Sequence, residues 1–128
     1  MKAKKLLGVV AAAVAMTGMA SAPASADDAV TGGNVEMVLF GSGYHVDSVT
    51  IHGVPEPQGP AQYEFIYYAT TSPTKTYTMI CGGSGTGNSC SHKFNIDATY
   101  AGGVGIRSCG SIKRVDNQQN LGTACKNW

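Results

Sequence analysis

The chain predicts an all-β protein: a small antiparallel β-sandwich of about seven strands, with Greek-key connections and two disulfides. Three observations carry this. Short runs rich in Val, Ile, Tyr, Phe and Thr recur between turn signals from Val35 to the C terminus. No stretch after the N-terminal leader sustains three turns of helical apolar period. Four cysteines, Cys81, Cys90, Cys109 and Cys125, all fall after the leader and form an even set in an exported chain. A small barrel is the competing closure.

Residues 1–26 read as a secretory signal peptide. Lys2, Lys4 and Lys5 precede an apolar run from Leu6 to Met16, and Ala24-Ser25-Ala26 supplies small residues for a cut after Ala26. The apolar run is short for a hydrocarbon core of about 30 Å. A cut after Ala22 would leave Pro23 first. The expected product is secreted, extracellular and without a membrane anchor. Three of the nine Lys and Arg residues leave with the leader, so six basic residues face eight acidic ones. With no basic cluster, nucleic acid is not an expected partner.

Residues 27–34, with adjacent Gly32 and Gly33, read as a flexible mature N terminus, and residues 35–128 as a single disulfide-stapled domain. Val35 to Phe40 is the first strand. After Gly41-Ser42-Gly43, the parity of Tyr44 and Val46 differs from that of Val49 and Ile51, which places a bulge near Asp47 and Ser48. Pro55, Pro57 and Pro60 stop the pattern and suit a rigid connection crossing between sheets. Gln62 to Thr70 is a central strand, because Tyr63, Phe65 and Tyr67 alternate with the apolar Ile66 and Tyr68.

A turn at Thr71-Ser72-Pro73-Thr74 leads into Lys75 to Cys81. Cys90, His92, Phe94 and Ile96 alternate with polar residues as a half-buried strand. Between them, Gly82 to Ser89 is glycine-rich, so Tyr77 to Ile96 reads as a hairpin cross-linked at its neck. Strands at Val104 to Cys109 and Ser111 to Val115, a turn over Asp116 to Asn120, and Leu121 to Trp128 complete the domain. Local pairing, Cys81 with Cys90 and Cys109 with Cys125, closes the two shortest rings. On the chain-entropy argument each ring is worth about 3 kcal/mol.

No motif names a reaction. His45, His52 and His92 form no His-x-His or His-x-x-x-His pair, although His45 with Asp47, and His52 with Glu56, could approach one another. Ser84 lacks a following helix and the last glycine of a nucleophile elbow. The cysteine spacing does not suit zinc. No catalytic, cofactor-binding or metal-binding residues are therefore assigned, and no cofactor is expected.

Ile66 and Tyr68 on an outer face, with Thr78 and Ile80 opposite and Ser84 and Thr86 at the loop tip, form the expected interaction surface. The plan of the chain resembles the subtilisin-inhibitor family and the neocarzinostatin-like chromoprotein carriers. Their cysteine spacings are not those found here, and no residue role is carried over. The expected function is a secreted, non-enzymatic interaction protein with a protein partner, such as an inhibitor or an adaptor of a toxin-type assembly. The alternatives are a small secreted toxin or hydrolase, and a carbohydrate or cell-surface binding module.

Overall fold

The computed structural model describes residues 26–54, 57, 59–82, 89–100 and 106–128. Residues 1–25 of the signal-peptide reading, which covers 1–26, and the loop-tip residues Ser84 and Thr86 lie outside them. The described strands are β1 (Asp28–Gly32), β2 (Val35–Ser42), β3 (His45–Gly53), β4 (Ala61–Ala69), β5 (Ser72–Cys81), β6 (Ser91–Thr99), β7 (Arg107–Arg114) and β8 (Asn120–Asn127). They form two antiparallel sheets of four, ordered β1-β2-β3-β6 and β5-β4-β7-β8. The chain crosses sheets from β3 to β4, returns from β5 to β6 beside β3, and crosses again to β7 beside β4. This is the expected Greek-key sandwich, with eight strands.

Period-two alternation explains the core. Val35, Met37 and Leu39 of β2, Val49 and Ile51 of β3, and Tyr63, Phe65 and Tyr67 of β4 point between the sheets and are buried. The expected irregularity near Asp47 is a register shift between Val46 and Ser48 against β6. It lets residues of opposite parity, Val46 and Val49, both reach the core. At one end, Tyr67 and Tyr100 join hydroxyls at 2.9 Å, and Ser72 Oγ lies 3.2 Å from the Tyr100 hydroxyl. Burial pushes the Tyr67 phenol far above its ordinary value. Trp128 closes this end, its ring centroid 5.3 Å from that of Tyr100 and its Nε1 donating to Ser108 Oγ at 3.0 Å.

Three local expectations change. The stretch 27–34, expected to be flexible, contains β1, which pairs with β2 from Asp28 to Gly32. Backbone pairing and the 2.8 Å Lys126–Asp28 ion pair hold it, neither of which a weakly apolar segment announces. The β4–β5 turn is Thr70-Thr71, so Ser72 and Pro73 already belong to β5. Most consequentially, Tyr77 to Ile96 is not a hairpin: β5 pairs with β4 and β6 with β3, in different sheets. Both disulfides have the expected partners, but Cys81–Cys90 spans the two sheets, whereas Cys109–Cys125 joins neighbours β7 and β8.

The two sides of the sandwich close differently. Where β1 lies over β8, a Cβ at Gly32 would stand 1.9 Å from Thr123 O, and one at Gly122 would stand 2.1 Å from Gly32 O. Only glycines let these backbones touch. Asn34 N–H also donates to Leu121 O at 3.0 Å, tying one sheet to the other. On the β5/β6 side no backbone hydrogen bond joins the two strands among the described residues, and the close approach is at the Cys81–Cys90 bridge, Cα to Cα 5.2 Å. Ala26 is fully buried and its N–H donates to Gly43 O at 2.8 Å. A chain cut after Ala22 keeps that bond, and one cut after Ala26 gives it up.

Candidate functional site

The open seam between β5 and β6 is the candidate site, and backbone parity defines it. Val115 N–H donates to Gln62 O at 2.9 Å, and Thr70 N–H donates to Arg107 O at 3.0 Å. Even-numbered residues of β4 therefore direct their backbone groups at β7. Their cross-strand partners on β5 are Thr76, Thr78 and Ile80, opposite Ile66, Glu64 and Gln62. These three must point their N–H and C=O groups away from β4, towards the free edge. The same reasoning applies to β6. Gly53 N–H donates to Cys90 O at 3.1 Å, so His92 and Phe94 face β3, and Ser91, Lys93 and Asn95 direct their backbone groups at the seam.

Side chains then line the seam. Tyr77, on the inward parity of β5, stacks on His92 of β6 with centroids 3.8 Å apart. Phe94 meets His92 edge-on at 4.6 Å. Partial burial holds the His92 imidazole below its ordinary pKa. Tyr77 nevertheless remains 45% exposed and Ile80 74% exposed, because nothing described covers the outer rim of β5. Beside the stack lies an open groove of about 470 Å³ lined by Lys75, Thr76, His92, Lys93, Phe94 and Asn95.

Charge is distributed unevenly. Lys113 pairs with Glu64 at 3.6 Å, Lys126 with Asp28 at 2.8 Å, and Arg114 with Asp116 at 2.7 Å. Lys75 and Lys93 make no ion pair among the described residues, and both line the groove. Among the described residues the groove lining is cationic, with no carboxylate.

Of the residues singled out from sequence, Ile66, Thr78 and Ile80 lie on the outer face of the second sheet, next to the free edge of β5. Tyr68 is on the same face, opposite Cys109 of the Cys109–Cys125 bridge, and is 42% exposed. The expected face and the free edge are thus contiguous. The groove residues Lys75 and Lys93 escaped sequence reasoning. A usable signal was present: the N-terminal half of β5, Ser72 to Thr76, has no large apolar side chain and carries Pro73 and Lys75, residues that mark sheet edges.

The histidines do not assemble. His45 and His52 sit at opposite ends of β3. His52 Nε2 meets Glu36 Oε1 at 2.6 Å, and Glu56 is outside the described residues. His45 Nδ1 lies 2.7 Å from Thr99 Oγ1, and its Nε2 lies 3.0 Å from Asp97 and 3.4 Å from Asp47. This hydroxyl–imidazole–carboxylate chain has the connectivity of an activated nucleophile. Its carboxylates are 70% and 90% exposed, however, so water screens them. Among the described residues, no three His, Cys, Asp or Glu side chains are placed to hold a metal, and no helix is long and apolar enough to cross a membrane. Family models, curated proteins and solved structures provide no match to the chain.

Proposed function

We propose that this is a secreted, non-enzymatic interaction protein, an inhibitor or adaptor, that binds a protein partner by receiving an extended strand along β5. One observation carries the reading. Among the described residues, Thr76, Thr78 and Ile80 present unpaired backbone donors and acceptors at a sheet edge, where Tyr77 and Ile80 are exposed. Main-chain bonds to such an edge give affinity, and alternate side chains give selectivity. The Cys81–Cys90 bridge fixes the end of β5 to the other sheet, so the edge is held in place before binding. Photocrosslinking in the source culture medium tests this. A crosslinker at Thr78 should capture a stoichiometric protein that a crosslinker at Thr123, on the far strand of the same sheet, does not. Equal capture at both positions, or none at Thr78, refutes the reading.

The Thr99–His45–Asp97 chain favours a second reading, a small hydrolase. Activated-ester cleavage that is unchanged in His45→Ala removes it.

A further inference from the structure

We infer that the strand received at β5 is acidic: an extended segment of a partner protein whose carboxylates fall at alternate positions and pair with Lys75 and Lys93. The inference rests on the strand-addition reading of β5 and names the chemistry of what is added. A strand laid antiparallel on Thr76, Thr78 and Ile80 alternates its side chains between the two faces of the sheet. Those on the outer face continue the row of Thr78 and Ile80 and suit apolar, β-branched residues.

Those on the inner face enter the groove, which Lys75 lines from the inward parity of β5 and Lys93 from the outward parity of β6; among the described residues neither lysine pairs with a carboxylate. An acidic side chain there gains two unclaimed cations, and a basic one meets repulsion. The same chemistry disfavours a second copy of this chain as the occupant. β5 contains no Asp or Glu, and would bring its own Lys75 and Pro73 to the edge. Pro73 has no N–H to donate, and like charges across an interface are costly.

The probes are two capped ten-residue peptides, one alternating valine with glutamate and one alternating valine with lysine, titrated into the isotope-labelled full domain and followed by amide chemical shifts. Expected is a response centred on Thr76, Thr78 and Ile80. Affinity for the glutamate peptide should be about tenfold or more above that for the lysine peptide at low salt. The margin should collapse at 1 M salt, where screening acts over about 3 Å. In the double variant Lys75→Glu, Lys93→Glu the order of the two peptides should reverse. Both lysines are exposed, so the variant keeps the fold, which its spectrum verifies.

Equal binding of both peptides at β5 overturns the acidic preference and leaves strand addition standing. A glutamate peptide that leaves the β5 amides unmoved, or moves amides elsewhere, overturns the inference. Concentration-dependent shifts of the β5 amides without any peptide assign the edge to a second copy, and overturn it as well.

Discussion

Tyr77 and His92 lie face to face, their ring planes 6° apart, although one belongs to the sheet of β4 and the other to the sheet of β3. The contact and the adjacent Cys81–Cys90 bridge draw together two strands that share no ladder. Elsewhere along the seam, no described strand pairs with the edge of β5.

Because burial lowers the His92 pKa from 6.5, the unfolded chain takes up a proton at this residue before the folded one does. The stability it confers is complete above about pH 6.5 and falls as pH drops from there through the lower folded-state value. Urea unfolding at pH 7.5 and pH 5.5 should show a loss that His92→Phe reduces. Tyr77→Ala uncovers the imidazole, so its NMR titration should move up towards the ordinary value. Loss of the stack should cost about 1 kcal/mol at neutral pH.

The parity of β5 predicts opposite effects for adjacent prolines. Tyr77, opposite Phe65, directs its N–H at β4, so Tyr77→Pro removes a ladder bond and should cost about 3 kcal/mol. Thr78 directs its N–H outward, so Thr78→Pro should cost about 1 kcal/mol or less while abolishing capture of the partner. Chemical denaturation of both variants measures the contrast.

On the closed side, Gly32→Ala should destabilise the domain by about 3 kcal/mol, since its methyl would collide with the Thr123 carbonyl. Gly59→Ala, where an added Cβ meets nothing within 4 Å, should stay within about 0.5 kcal/mol of the parent. Melting curves of the two variants compare them.

Each disulfide closes a short ring, with separations of 9 and 16 residues, so replacing either pair by serine should cost about 3 kcal/mol. The consequences differ in kind. Cys109 and Cys125 sit opposite each other in a ladder that persists without the bridge, so the β7–β8 amides should remain protected. Without Cys81–Cys90, the C-terminal end of β5 loses its tie to β6, and exchange at Met79 and Cys81 should accelerate.

The sandwich class, the disulfide partners and the central place of β4 were legible because each is written in local pattern: Tyr63, Phe65 and Tyr67 alternating inward, and cysteines at short separations. The seam was not. A cysteine pair bracketing a glycine loop reads the same whether the flanking strands share a sheet or face each other across a core. Sheet membership is decided by β3 and β4 claiming β6 and β5, which no local window contains. The shared outward parity of Ile66, Thr78 and Ile80 was legible in the alternation of their strands. Lys75 and Lys93 are on consecutive strands of different sheets, and only the packing of the two sheets brings them to one groove. β1 was missed because backbone pairing and Lys126, 98 residues away, hold Asp28 in place.

Residue-resolved amide hydrogen exchange along β5 tests the open edge most directly. Expected is alternation, with Tyr77 and Met79 protected by bonds to β4, and Thr76, Thr78 and Ile80 exchanging as exposed amides, faster by orders of magnitude. Uniform protection from Thr76 to Ile80 in the isolated monomer would mean that the edge is already covered, and would contradict strand addition at β5.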